Sequence, residues 1–587
     1  MADLESLQQQ YKKLIATFTQ IVGEKYVLTD PAATQRYRKG FFFGNGDALA
    51  VVRPGSLVEY YKVVKTCVEN DIIVLNQAQN TGVTGGSTPW GNDYDRPIVI
   101  INTLRIDGIQ LIKTDTDEPQ AVCLAGSTLY DLEQKLQDIN REPHSVIGSS
   151  CIGASVVGGV CNNSGGTLVQ RGPAYTELAC YARVNEQGEF EFVNNLGIDL
   201  GNGTPEQQLA KLEASAYSKD DIKDPEGKLA SSRDYKEKVV QVDADTPSRF
   251  NADPSRLKEA SGSAGHLAVF AVRVDTFAKP KRTQLFFIGT NDPKDLNEIR
   301  RAALTAFPTL PMQGEYMSRS SFDDAVKYGK DIFFVLDRFG TKKLPKLYAL
   351  KDLYDRTVGK YLPSSDTLMQ FFADCLPNLL PPRITDFRDR FEHMLILTAA
   401  DDLINPLNAW LEEYFKESKT GAYFSATPKE AKKALLLRFS VGGSLARSMH
   451  VLKNETAGMI ALDVALRRND DNWADPIPAH IAEKCTHINS CGHFLCHVFH
   501  LDYLVKKGED VEKIKQELLD YFASRGAEYP AEHNVGHLYH AKPALEKHYR
   551  ELDPTNQFNP GVGKLSKYKN WADTPSCGCG CHATTDK

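Results

Sequence analysis

No run of apolar residues in this chain approaches the roughly 20 that a membrane-spanning helix needs, although 42% of its 587 residues are hydrophobic. The first residues, Met1-Ala-Asp-Leu-Glu5, lack the basic and apolar regions of a secretory signal, so the protein is expected to remain in the cytoplasm. Positive charge is also in short supply. A net charge of −7 argues against general nucleic-acid binding, and no nucleic-acid partner is expected. The glycine-rich stretches do not fit the GxGxxG-then-helix pattern of a dinucleotide site. Of 12 cysteines, nine sit in apolar or motif contexts and read as buried free thiols. The other three, Cys577, Cys579 and Cys581, are not spaced as CxxC. They belong to an expected flexible tail. Internal repeats and long low-complexity segments are absent. The length calls for three or four domains or sub-domains.

What the chain does have is glycine and hydroxyl in two concentrated loops. Asn80–Pro89 holds three glycines and four hydroxyl side chains in ten residues, directly after an apolar strand at Ile72–Leu75. Gly148–Gly159 is followed at once by Asn162–Gly166. Convergent backbone N–H groups in such loops can cradle an anion, and two of them around a strand–helix–strand stretch suit a ligand with a diphosphate. Strands are predicted at 47–52, 98–101, 121–125, 264–274 and 284–289. Helices are predicted at 1–25, 57–70, 129–139, 296–307, 406–416, 428–437 and 511–525. Ser56 and Glu59 form an expected capping box. This βαβ start followed by further strands indicates an α+β or α/β chain. Residues 202–256, polar and rich in Asp, Lys and Ser, read as a surface insertion or an irregular excursion.

Histidine clusters near the C-terminus. His493, His497 and His500 share one face if their run is helical; as a strand, His493 and His497 share a face and His500 does not, unless a bulge intervenes. The second cluster contains Glu532 and His533, a carboxylate beside a base. Imidazoles with a carboxylate are usual ligands of zinc or iron-like metals. Arg467, at the end of an apolar stretch, can hold a substrate carboxylate. Asp553–Gly561 is a turn-rich segment that either closes a ligand site or ends a domain.

Together these motifs resemble a known family. Asn80–Pro89, Gly148–Gly166 and Asn559-Pro-Gly561 are similar to the FAD loops of vanillyl-alcohol-oxidase type flavoproteins. Arg141–Ser150, Arg171–Glu177 and Tyr529–His537 resemble, within that group, the bacterial quinone-dependent D-lactate dehydrogenases. The likeness runs from about Leu28 to Trp571. It implies an α+β fold with an FAD domain at 1–275, completed by 531–571, and a discontinuous cap at 276–317, 391–429 and 454–530. A membrane-facing module would lie at 318–390 and 430–453, and a tail at 572–587. It implies non-covalent FAD on Ala78, Gln79, Asn80, Thr81, Gly82, Gly86, Ser87, Gly148, Ser155, Gly165 and Val269. His533 would be the general base and Arg467 the carboxylate anchor, with a possible divalent metal on His493, His500 and Glu532. Two positions depart from the family pattern: Cys496-His497-Val498 replaces Asp-Gly-Asn, and Asn534 replaces a glycine.

The expected partners are therefore D-lactate and a membrane quinone, with the protein peripheral on the cytoplasmic face of the bacterial inner membrane. Glycolate or 2-hydroxyglutarate is the alternative substrate, and a non-enzymatic flavin-binding docking protein the alternative class. An anionic membrane surface is expected as a further partner. Segments 318–390 and 430–453 hold 18 Lys and Arg against 11 Asp and Glu, and each basic residue near such a surface contributes on the order of 1 kcal/mol. Phe333, Phe334, Phe339, Tyr348, Tyr354, Tyr361, Phe371 and Phe372 in the same segments suit a bilayer interface.

Overall fold

The computed structural model describes residues 2–113, 118–144, 152–223, 227–340 and 357–574, with 347, 350, 351 and 353–355 between the last two. Gly148, Tyr348 and the cysteines at 577, 579 and 581 lie outside the described residues, as do several positions of the basic stretch 341–356.

Among the described residues, three sheets carry the chain. In the first, β1 (Val27–Leu28), β2 (Ala50–Val52), β3 (Ile73–Gln77) and β4 (Ile98–Asn102) lie in the order β1-β2-β4-β3. β4 runs parallel to both β2 and β3. The connecting helix Leu57–Glu69 buries Leu57, Tyr60, Tyr61, Val64 and Cys67 along one stripe. Ser56 caps it as expected by accepting the Glu59 N–H, but the reciprocal half of the capping box does not form. The Glu59 carboxylate accepts the N–H of Gly55 instead. Loop Asn80–Pro89 follows β3, at the carboxyl end of the parallel strands, where open sheets of this kind receive ligands. The C-terminal segment returns here: Val74 donates to Gln557 O and Asn559 donates to Val74 O.

The second sheet is antiparallel, with β5 (Ile109–Lys113), β6 (Pro119–Leu124), β8 (Ala179–Val184), β9 (Phe190–Asn194) and β10 (Ala268–Ala278) in the order β5-β6-β10-β8-β9, and β7 (Arg141–Pro143) beside β10. The continuous apolar run of β10 reflects its central, doubly covered position. The polar stretch 202–256 is irregular, as one of its two readings has it, but it does not lie wholly at the surface. Helix Pro205–Glu213 packs Leu209 and Leu212 into the core, and Arg249, Asn251, Asp253 and Arg256 are all buried. Arg249 and Asn251 pair with Glu532 and Asn162 elsewhere in the chain, while Asp253 and Arg256 pair with Lys238 and Asp234 within the stretch; sequence polarity does not reveal this.

The third sheet is antiparallel and spans β11 (Thr283–Thr290), β12 (Gln313–Ser318), β13 (His393–Ala400), β14 (Gly421–Ser425), β15 (Thr456–Ala465), β16 (Cys485–His493) and β17 (Val498–Lys506). The order is β14-β11-β13-β12-β16-β17-β15. Helices Arg319–Tyr328, Lys330–Phe339, Ser365–Cys375 and Pro428–Val451 group beside it. The last runs 24 residues, well past the expected end at Leu437. Its buried face continues through Ser440, Ser444 and Ser448, whose hydroxyls donate to carbonyls one turn back. A stripe of small hydroxyl residues is invisible to hydrophobic periodicity. The fold class is α+β, as expected. Of the cysteines read as buried, Cys375 is exposed and Cys151 lies outside the described residues; the other seven are buried.

Among the described residues no helix is long and apolar enough to cross a membrane. The helical group nevertheless exposes apolar side chains: Tyr361 at 89%, Phe371 at 64% and Phe372 at 63%, with Phe339, Leu353 and Leu362 nearby in sequence. Phe333 is buried and belongs to the group's own core. Several of the group's basic side chains are held in ion pairs within it, which leaves the excess of basic over acidic residues unchanged. Arg388 pairs with Asp323, Arg383 with Glu430, Lys432 and Lys433 with Asp337, and Arg447 with Asp331 and Asp366.

Candidate active site

One cavity of about 1700 Å³ is lined by both glycine loops, by β10 and by the face of the third sheet. Ala78, Gln79, Asn80, Thr81, Gly82, Gly86, Ser87, Ser155, Gly165 and Val269 all line it; Gly148 lies outside the described residues. The loops are tied from behind. Gln77 donates to Ser87 O, Ser87 to Asn80 Oδ1, and Asn559 to both Gly86 O and Ala264 O. Segment Asp553–Gly561 therefore buttresses the first loop, with Asn559 lining the cavity. A Cβ on Gly82 would meet no atom within 4 Å, so a side chain there would project into open space. Gly165 needs its glycine for a different reason: a Cβ would stand 2.3 Å from the Glu532 carboxylate.

The titratable groups of the cavity stand in rows across four neighbouring strands. Register places Glu315 of β12 opposite His493 of β16, Cys491 opposite His500 of β17, and His500 opposite Asp463 of β15. Directly opposed residues share a face, and all of these line the cavity together with Asp502. The loop carrying Glu532 and His533 closes over them. His493 Nδ1 lies 2.7 Å from Glu315 Oε1 and its Nε2 3.0 Å from Glu532 Oε2. Asp463 Oδ2 accepts the backbone N–H of Glu532 at 2.6 Å and of His533 at 2.9 Å, and stands 3.3 Å from His533 Nδ1. The His533 ring stacks on His500 with centroids 5.5 Å apart. This arrangement engages His533 Nδ1 and leaves its Nε2 for a ligand.

Charge is concentrated and paired. Burial alone would raise the Glu532 carboxyl, but the charges of Arg249 and His493 outweigh it and hold it at about 2. Burial opposes a proton on His493, yet Glu315 and Glu532 lift it to about 10. Asp463 is held well below the carboxylate range by His533 and His500 in spite of its burial. Burial lowers His500 and pushes Asp502 up to about 7.

Arg467 does not join this cluster. It is not among the lining residues, and its guanidinium pairs with the exposed Asp245 at 2.5 Å. β15 ends at Ala465, so Arg467 has already left the face that carries Asp463. Of the cations that line the cavity, Arg438, from the long helix Pro428–Val451, pairs with the cluster, its Nε 3.0 Å from Glu315 Oε2. His497 is also absent from the cluster. It turns the β16–β17 hairpin in a left-handed conformation, φ 53, and its buried ring lies 2.9 Å from Arg467 O through Nδ1. Neither the helical reading nor the shared face of His493 and His497 holds; His493 and His500 meet instead across two strands. Sequence reasoning missed Arg249, Glu315, Arg438 and Asp463. Only the alternation of β15 hinted at Asp463, a lone carboxylate within an apolar strand.

Residues 48–190 match the FAD binding domain family, and residues 285–571 match the family described as D-lactate dehydrogenase, membrane binding. The quinone-dependent D-lactate dehydrogenase of Haemophilus influenzae is 53% identical over 567 residues, covering 96% of this chain and 100% of that protein. The chain belongs to the quinone-dependent D-lactate dehydrogenase family. The family member from Escherichia coli is 52% identical over 566 residues, covering 96% of this chain and 98% of its own. Among solved structures, p-cresol methylhydroxylase superposes with a TM-score of 0.57 at 13% identity, covering 95% of this chain and 98% of that one. That likeness concerns the fold alone. As a member of the quinone-dependent D-lactate dehydrogenase family, the protein is an FAD-dependent oxidoreductase with a membrane-binding part.

A metal fits the residues present. His493, His500 and Glu532 offer donor atoms within 4.8 Å of one another, as do Asp463, His500 and His533. Two imidazoles and a carboxylate suit a divalent ion of the zinc or iron class. Glu315 behind His493 Nδ1 is the kind of partner that orients a ligating imidazole.

Three further histidines are buried structural groups. His537 stacks on Trp90 behind the first loop, and burial pushes His144, His537 and His548 each down to about 4. The unfolded chain, with ordinary histidines, binds more protons than the folded one once pH falls below about 6.5. Stability is therefore expected to fall with pH from 6.5 toward 4, by about 3 kcal/mol per histidine when complete. Urea midpoints measured between pH 7 and 5 check this, and His548→Phe should flatten the slope. Midpoints that do not change over that range would contradict it.

Proposed function

We propose that the protein oxidises D-lactate to pyruvate over the His533 end of the cavity and delivers the electrons to a membrane quinone. The observation that carries this reading is a base, His533, backed by Asp463 and facing a cavity lined by both flavin loops. His533 Nε2 takes the substrate hydroxyl proton, and Asp463 holds the ring and stabilises the charge that forms. Arg438, in place of Arg467, receives the carboxylate through its outer nitrogens while Glu315 keeps its Nε. FAD, when bound, supplies hydride acceptance at the substrate carbon. A divalent metal on His493, His500 and Glu532 would polarise the hydroxyl as a Lewis acid. Anaerobic bleaching of the flavin, compared for D-lactate, glycolate and 2-hydroxyglutarate, tests the assignment. Faster bleaching by either rival acid would displace D-lactate.

The FAD is held without a covalent bond, since the first loop carries no His or Cys. Acid precipitation is expected to leave the yellow colour in the supernatant; colour retained by the polypeptide would count against it. Gly82→Trp should abolish flavin retention by filling the space beside the loop.

The protein docks on the cytoplasmic face of the bacterial inner membrane through its helical group. The exposed aromatics supply part of the attachment, and the group's excess of basic over acidic residues adds to it on an anionic surface. Flotation with vesicles is expected to show binding that weakens with salt but is not abolished by it. Phe371→Ser with Phe372→Ser should reduce it at every salt concentration. Binding indifferent to that pair of substitutions would sink the aromatic contribution.

A further inference from the structure

The cavity exceeds a single-ligand cleft: about 1700 Å³, against roughly 300–1,000 Å³ for an ordinary small-molecule site. Its polar end holds the His533 cluster. Its other walls are the helices Lys330–Phe339, Ser365–Cys375 and Pro428–Val451. On the long helix, Leu435, Arg438, Phe439, Gly442, Gly443 and Ala446 line the cavity at spacings of three and four, so one helical face runs along it. Arg438 and Ala446 are about 12 Å apart along the axis. The wall thus leads away from the reacting cluster into the helical group. Gly442 keeps the passage wide, since a Cβ there would meet nothing within 4 Å.

Two further observations point to a ligand in this arm. Phe334, Phe372 and Leu435 line the cavity and are also exposed at the surface, so the arm opens within the apolar face of the helical group. Inside it, Arg447 is only 4% exposed; Asp366 engages its Nε and Asp331 its Nη2, while Nη1 has no hydrogen-bond partner. An unpaired donor on a buried guanidinium is costly unless an acceptor arrives.

We propose that this arm is the quinone site, a reading that rests on the oxidation of D-lactate proposed above. The isoprenoid chain lies between the three helices and leaves through the Phe334–Phe372–Leu435 opening into the lipid. A ring carbonyl accepts from Arg447 Nη1. The exchange balances: D-lactate loses two electrons and two protons in becoming pyruvate, and the quinone gains two electrons and two protons in becoming the quinol.

The test uses the full FAD-loaded protein on liposomes containing a long-chain ubiquinone. Gly442→Leu narrows the arm without touching the His533 cluster, and Ala446→Leu does so one turn further on. In both variants D-lactate:quinone turnover should fall at least ten-fold. Anaerobic flavin bleaching by D-lactate and turnover with ferricyanide, a water-soluble acceptor, should stay within two-fold. Quinone turnover within two-fold of the unsubstituted protein in both variants would overturn the site, as would equal losses with quinone and ferricyanide. Failure of the unsubstituted protein to bleach with D-lactate would sink the substrate reading instead. The arm is then tested directly, by the rate at which quinone reoxidises dithionite-reduced enzyme in the same variants.

Discussion

His533→Ala is expected to purify yellow and to lose D-lactate-driven flavin bleaching by about 10²-fold or more, the usual loss when a positioned general base is removed. FAD should remain, because the partners of His533 are Asp463 and His500 of the third sheet. The ring is placed by groups that outlast its removal: Asp463 still accepts the backbone N–H groups of residues 532 and 533. The loop should therefore keep its shape, and the defect should be chemical. Stopped-flow reduction under anaerobic conditions measures it. Bleaching within about three-fold of the unsubstituted rate would remove His533 from the mechanism. The two arginines provide an internal comparison. Arg438→Gln should raise the D-lactate requirement by roughly ten-fold to a hundred-fold, the range for a lost charge-assisted hydrogen bond. Arg467→Ala, at a surface pair with Asp245, should leave bleaching nearly unchanged. The opposite ranking would return the carboxylate to Arg467.

Arg249→Met is expected to destabilise the protein by about 3–5 kcal/mol, the cost of stripping one partner from a buried ion pair. Arg249 and Glu532 have side-chain exposures of 2% and 5%. Arg249 also donates to Gly166 O at 2.7 Å, in the second flavin loop. Its loss leaves the Glu532 carboxylate short of its main counter-charge, so that carboxyl should rise from about 2. It also frees the loop that faces FAD. Two readouts should move together: the urea midpoint and the rate of FAD release on dilution. The exposed Arg467–Asp245 pair is the control, where at most about 1 kcal/mol is expected. A loss below about 1 kcal/mol for Arg249→Met would show that Glu532 is neutralised by other means.

Local features were legible where the chemistry is local. The loop Asn80–Pro89, its preceding strand and the Ser56 cap could be read from adjacent residues, because turn chemistry and capping act over three or four positions. The pair Glu532–His533 and the spacing of His493 and His500 were visible for the same reason, and family likeness supplied their roles. The identity of the electrostatic partners was not visible. Glu315 reaches His493 across 178 positions and Arg249 reaches Glu532 across 283, through strand register and buried pairing that no local pattern encodes. A polar stretch such as 202–256 reads as solvated until a partner for each charge is known. Arg467 and Arg438 show the same limit: both lie near apolar residues in sequence, and only the end of β15 and the continuation of the long helix past Leu437 decide which guanidinium faces the cavity. The sequence by itself determined the family and the two glycine loops, and it put His533 forward as the base. The tertiary structure decided which charges surround that base, because burying them is tolerable only in pairs that the fold brings together.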